Sequence, residues 1–127
     1  MSDMKLPHDH GETMEHLFGH MPGQEEFCIV ADAFKLLGDG SRIRIFWLLC
    51  HCEACVINIS AMLQMSSPAV SHHLKLLRAH GLIVSRREGK EVYYQASSAN
   101  QAKQLHDMIE RMLTITCPGV NAGYSQE

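Results

Sequence analysis

From Cys50 to Cys55 the chain reads Cys-His-Cys-Glu-Ala-Cys, which places three of its five cysteines and one histidine within six residues. Thiolates are soft donors that suit Cd(II), Pb(II), Zn(II), Cu(I) or trivalent arsenic, and an added imidazole shifts the preference towards zinc or cadmium. Cys50, Cys52 and Cys55 are therefore candidate ligands of a thiophilic metal ion. Residues two apart on a regular helix diverge, so the three can serve one ion only if helical structure ends among them. His16 and His20, four apart near the N-terminus, and Cys117 near the C-terminus are further candidate ligands. Cys52 and Cys55 also form a Cys-x-x-Cys pair, which suits a sensor of oxidation or persulfide as a second reading. An enzyme using Cys50 with the neighbouring His51 fits poorly. Adjacent residues rarely orient as nucleophile and base, and no phosphate loop or carboxylate pair accompanies them. Cys28 stands alone and is read as a small buried hydrophobe.

The elements that must position these groups follow from the apolar period. Residues 1–23 carry Pro7, Gly11, Gly19, Pro22 and Gly23 without a sustained apolar period, and are expected to form a mobile arm bearing His8, His10, His16 and His20. Phe27, Val30, Phe34 and Leu37 predict a helix over 24–37, with Glu25 and Glu26 at its positive end and Gly38 to Gly40 stopping it. A second helix, capped by Ser41, runs through Ile43, Phe46, Trp47 and Leu49 into the cysteines. Ile57, Ile59, Met62 and Leu63 predict a short third helix that ends before Met65. A fourth begins at once, with Ser67 as cap, Pro68 at the first position and Val70, Leu74 and Leu77 facing inward. Gly81 ends it, and Leu82 to Tyr94 reads as two strands around Glu88-Gly89-Lys90. The last helix, about 99–115, has Ala102, Leu105, Ile109 and Met112 on one stripe and Met108 and Leu113 beside it. That is more apolar surface than one side of a small domain needs, so a partner helix is expected. A tail over 117–127 closes the chain, and 24–116 is its folded body.

A short helix, a tight turn, a second helix with Ser71, Lys75 and Arg78 turned outward, and a basic hairpin make a winged helix-turn-helix order: mainly α with a β-hairpin wing, α-α-α-α-β-β-α. A helix fits the major groove, where short serine and adaptable histidine side chains reach base edges and the helix N-terminus favours a phosphate. Arg86, Arg87 and Lys90 would grip the DNA backbone or minor groove and supply salt-dependent affinity.

Size and charge are compatible with this. A chain of 127 residues is one domain by length, and 46% hydrophobic content is ordinary for a globular protein. A net charge of −3 excludes a uniformly basic coat, but Asp3, Asp9, Glu12, Glu15, Glu25 and Glu26 crowd the start while the cations Lys75, Arg78, Arg86, Arg87 and Lys90 gather later. No apolar run approaches the roughly 20 residues that span a bilayer, and no apolar leader opens the chain, so a cytoplasmic protein without membrane contact is expected. In that reducing compartment its cysteines are read as free thiols, ligands or sensors.

Three blocks carry a specific resemblance. Leu36-Leu37-Gly38-Asp39-Gly40-Ser41-Arg42-Ile43-Arg44-Ile45, then Ser66 to Leu77 (Ser-Ser-Pro-Ala-Val-Ser-His-His-Leu-Lys-Leu-Leu), then Gly81 to Tyr94 (Gly-Leu-Ile-Val-Ser-Arg-Arg-Glu-Gly-Lys-Glu-Val-Tyr-Tyr) resemble the signature blocks of the ArsR/SmtB family. They cover most of residues 27–115. The resemblance implies a bacterial homodimeric winged-helix repressor, of a kind that often leaves DNA when a metal or metalloid binds. It implies that Ser67, Ala69, Ser71, His72 and Lys75 enter the groove, with Ser66, His73 and Arg78 beside them, and that the first and last helices form the dimer. A two-fold dimer implies an imperfect palindrome as operator.

The register of the cysteines departs from the family's arsenic site, a Cys-x-Cys-x-x-Cys run on the helix before the reading helix. Counted back from Ser66-Ser67-Pro68, Cys55 falls at the first ligand position, Ile57 and Ser60 fall at the others, and Cys50 and Cys52 lie upstream. The family's zinc-type positions fall at Ser98 and Asn100 and near Arg111 and Thr114. His106, Asp107 and Glu110 share that helix at another offset, so His106 is expected at the surface or the dimer interface and not as a ligand.

Overall fold

The computed structural model describes residues 6–8 and 12–119; His10 and most of the tail over 117–127 lie outside the described residues. The chain divides into two units, residues 1–34 and 35–127.

In the first unit, α1 spans Glu12–His20 where the sequence reading expects irregular structure. Met14, Leu17, Phe18 and Met21 do recur at three- and four-residue spacing, a period masked by the interleaved histidines and Gly19. All four are exposed. The next helix, α2 (Gln24–Leu36), has Glu25 and Glu26 in its first turn and Lys35 in its last, as a helix dipole favours. Its Phe27, Ile29, Val30 and Phe34 are exposed, as is Cys28, which is therefore not the buried hydrophobe expected of it.

The second unit runs α3 (Gly40–His51), β1 (Ala54–Cys55), α4 (Val56–Leu63), α5 (Ser67–Ala79), β2 (Ile83–Glu88), β3 (Glu91–Ala96) and α6 (Asn100–Thr116). Both helix starts lie upstream of the sequence reading. Asp39 caps α3 in place of Ser41, accepting from the Arg42 amide at 2.9 Å. Ser66 caps α5 in place of Ser67, its Oγ accepting from the Ala69 amide at 3.2 Å. Pro68 still falls in the first turn, where its missing N–H is tolerated. Between α4 and α5 the backbone turns through Gln64 in the left-handed region, at φ 55°.

The sheet is antiparallel in the order β1-β3-β2, so the hairpin gains a third strand that the sequence reading lacks. Ala54 pairs with Tyr94 and Cys55 with Tyr93. Gly89, at φ 64°, takes the first central position of the two-residue hairpin loop between Glu88 and Glu91, where glycine meets a positive φ without strain. Ile45, Phe46, Leu49, Ile59, Val70, Leu74, Leu77, Leu82, Ile83 and Ala102 form one core beneath α3, α4, α5, the hairpin and α6. This core fixes α5 and the hairpin as adjoining outward elements. It is the mainly α, winged helix-turn-helix architecture read from the sequence.

Candidate functional site

The apolar stripe of α5 commits Val70, Leu74 and Leu77 to the core, and that choice turns the other face out. Ser67, Ser71, His72, Lys75 and Arg78 are exposed and Ala69 is half-buried. Ser66 is exposed but occupied as the cap, and the Ser67 hydroxyl lies 3.2 Å from that of Ser60 on α4. His73 differs from its neighbours. It is half-buried and faces the start of α3, where Arg42 Nε donates to its Nδ1 at 3.2 Å and Asp39 Oδ1 lies 4.0 Å from its Nε2. Burial, opposed by the Asp39 charge, holds its imidazole below the usual histidine range. His73 thus fastens α5 to α3, and Arg42 extends the link by donating to the Leu36 carbonyl at 2.7 Å.

On the wing, Arg86, Arg87 and Lys90 are all exposed, yet they are not equivalent. Arg86 donates to both Glu53 oxygens, at 2.6 and 2.9 Å, and to Glu88 at 2.7 Å, with its guanidinium 4.9 Å from the Tyr93 ring centre. These bonds raise the Arg86 pKa, while the guanidinium holds the Glu53 carboxyl below its usual range. Among the described residues, Arg87 and Lys90 form no such ion pair.

Glu53 belongs to the cysteine segment, so this ion pair ties that segment to the wing. Helix α3 ends at His51, and Cys52 is its C-cap with extended backbone. Helical structure therefore does stop among the thiols. Cys50 is half-buried on the last turn of α3, Cys52 is exposed and Cys55 is buried in β1. Burial and then the nearby Glu110 charge push the Cys50 thiol up to about 12. Cys117, at the C-cap of α6, is exposed. His16 and His20 stand one turn apart on α1 with ring centres 4.3 Å apart, and His20 Nδ1 lies 2.9 Å from the His16 carbonyl oxygen.

The side chains that do converge as potential ligands are others. Among the described residues, His51, His106 and Glu110 place one ligand atom each within 4.8 Å of one another, whereas the three sulfurs are not gathered into such a set. His51 is on the last turn of α3, and His106 and Glu110 are one turn apart on α6. The Trp47 indole donates to Glu110 Oε2 at 2.7 Å, and its ring lies 4.2 Å from that of His51. Burial, then the proximity of His106, lowers the His51 pKa. Half of this cluster is visible in the sequence as His106 and Glu110 four apart. The remainder, His51 and Trp47, is brought in by the tertiary packing of α3 on α6.

Residues 39–85 match the family model described as bacterial regulatory protein, arsR family. The arsenical resistance operon repressor of Escherichia coli (strain K12) is 40% identical over 72 residues, 56% of this chain and 62% of that protein. The arsenical resistance operon repressor of Staphylococcus aureus is 32% identical over 96 residues, 70% of this chain and 88% of that one. Among solved structures, the homodimeric winged helix-turn-helix DNA-binding domain from Mycobacterium bovis, described as a possible ArsR-family regulator, superposes with a TM-score of 0.62 at 25% identity, covering 84% of this chain and 100% of that one. The chain spans 49% to 65% of the length of the first curated relatives it matches.

Proposed function

The chain belongs to the ArsR family of bacterial regulatory proteins, and from that premise we propose that it is a homodimeric, DNA-binding transcriptional repressor that leaves its operator when a thiophilic metal or metalloid binds. The observation that carries the DNA half of this reading is the outward face of α5. Ser71, His72, Lys75 and Arg78 are exposed together on a helix whose opposite face is locked in the core, beside a hairpin bearing Arg87 and Lys90. Short and adaptable side chains there read base edges, and the cations set register on the phosphates. The relatives are named as repressors of arsenical resistance operons, and the Mycobacterium bovis neighbour as a homodimer. The operator would be an imperfect palindrome read by two copies of α5. Among the described residues no helix is long and apolar enough to cross a membrane.

The inducer half rests on the thiols. Cys50, Cys52 and Cys55 supply donors of the right softness for Cd(II), Pb(II), Zn(II) or As(III), with Cys117, His16 and His20 as additional candidates. Binding one ion through all three requires the segment from Cys50 to Cys55 to rearrange, and Glu53 within it holds Arg86 of the wing. Ligand binding at the thiols would therefore act on the DNA-facing hairpin through that ion pair. A disulfide-forming sensor has less support, because Cys52 is exposed while Cys55 is buried in β1. The organisation carried by this reading is an N-terminal arm over 1–23, a DNA-binding and dimerising body over 24–116 and a tail over 117–127.

The test is fluorescence anisotropy on palindromic duplexes from the region upstream of the gene and of its neighbours. Lys75→Ala is expected to weaken binding on all sequences alike and to reduce the salt slope by about one, whereas His72→Ala relaxes sequence preference. Binding that is absent, or indifferent to salt, contradicts the reading.

A further inference from the structure

We propose that His51, His106 and Glu110 form a second metal site, which clasps the end of α3 to α6 and takes a borderline divalent cation such as Zn(II), Co(II) or Ni(II). His51 Nε2 lies 3.0 Å from His106 Nε2, His106 Nε2 lies 3.2 Å from Glu110 Oε2, and His51 Nε2 lies 3.7 Å from that same oxygen. A tetrahedral ion with bonds of about 2.0–2.1 Å holds its ligands about 3.3 Å apart, in the middle of these three separations. Imidazole and carboxylate donors select borderline ions over the softest ones. The site needs no thiolate, so its donor set is distinct from the three cysteines although His51 lies between Cys50 and Cys52, and it rests on the packing of α3 against α6 without any assumption about DNA.

Three further observations point to a cation. Glu110 Oε1 is buried without a hydrogen-bond partner, and a buried carboxylate oxygen left in that state is costly unless a positive charge offsets it. Trp47 fixes the same carboxylate through its indole N–H, an orienting contact typical of the groups that surround metal ligands. The two imidazoles aim nitrogen at nitrogen, an arrangement that needs one hydrogen between them; for both to bind an ion, that hydrogen moves from Nε2 to Nδ1 of the same ring. On His106, Nδ1 has Asp107 Oδ1 at 4.0 Å. Three protein ligands leave a tetrahedral ion one open position, and a cleft lined by Cys50, His51, Cys52, Glu53, His106 and Asp107 runs past it.

The experiment titrates Co(II) into full-length protein freed of metal by chelator and follows the visible and near-ultraviolet spectrum. The expected result is one equivalent per chain that brings four-coordinate ligand-field bands without sulfur-to-metal charge transfer, any ion taken by the thiols adding such a band separately. His106→Gln and Glu110→Gln each weaken this binding by roughly tenfold or more, and Trp47→Phe by about tenfold. Binding seen only with a charge-transfer band, or unchanged in His106→Gln, overturns the proposal. A second measurement does not depend on the variants folding: Zn(II) added to unmodified, nitrogen-15 labelled protein must shift the imidazole resonances of His51 and His106, and their failure to move overturns it equally. Either failure leaves the thiol-based response untouched, because the charge-transfer band reports binding at sulfur separately from the ligand-field bands and the imidazole shifts.

Discussion

Arg86 is held by two carboxylates, Glu53 in a two-pronged ion pair and Glu88 alongside. A guanidinium so engaged offers little net charge to a phosphate, so on the proposed reading Arg87 and Lys90 are expected to carry the wing's contribution to DNA affinity. Glu53→Gln removes the stronger of the two acceptors. Exposed ion pairs contribute little, so operator affinity should rise by roughly fivefold at most, and the salt slope should steepen by about one as Arg86 becomes free to meet a phosphate. Paired anisotropy titrations of wild type and variant over a salt series measure both; an unchanged slope would remove Arg86 from the interface. The sequence reading had grouped Arg86 with Arg87 and Lys90 because the three share one stretch. Glu53 is 33 residues away, and only the sheet brings it near. The same limit hid His51, which is 55 residues from His106. Residue types that carry chemistry are legible one by one, but pairings across the chain are set by tertiary packing.

Among the elements, α5 was legible from end to end because proline, capping serine and an apolar stripe agree. The one-residue shift of its cap from Ser67 to Ser66 reflects two adjacent serines of equal capping chemistry. The strand β1 was not legible: two residues carry no period, and Ala54 and Cys55 are extended because β3 offers them partners. The resemblance sets His73 beside the groove-entering residues, and in the structure it joins α5 to α3. Its pKa is lowered in the fold, so the unfolded chain takes up a proton more readily than the folded one. The stability this confers is fully present above the ordinary histidine value of about 6.5 and is lost as pH falls through the lower, folded value. Urea denaturation across that range should show stability declining on acidification, and His73→Asn, which cannot titrate, should flatten the decline. An equal decline in the variant would assign the effect to other groups.

At the scale of the molecule, Met108, Met112 and Ile115 on α6 are 43%, 55% and 73% exposed. On a surface helix such a run is what the proposed dimer would bury, in keeping with the homodimeric neighbour. Met112→Glu combined with Ile115→Glu is expected to convert a dimer into a monomer in sedimentation velocity and, by removing the second reading helix, to weaken operator binding by well over tenfold; a variant that stays dimeric would place the interface elsewhere. On the proposed reading, dimer and sensor meet in the response to metal. The most direct measurement is therefore operator affinity, by anisotropy at fixed salt, of the dimer titrated with Cd(II), Pb(II), Zn(II) and arsenite, compared with Cys52→Ser, Cys55→Ser protein. The expected result is a loss of affinity of about 5- to 150-fold with at least one of these ions, abolished in the double variant. Affinity unchanged by all four, or an undiminished response without the two thiols, would contradict a thiol-based metal-responsive repressor.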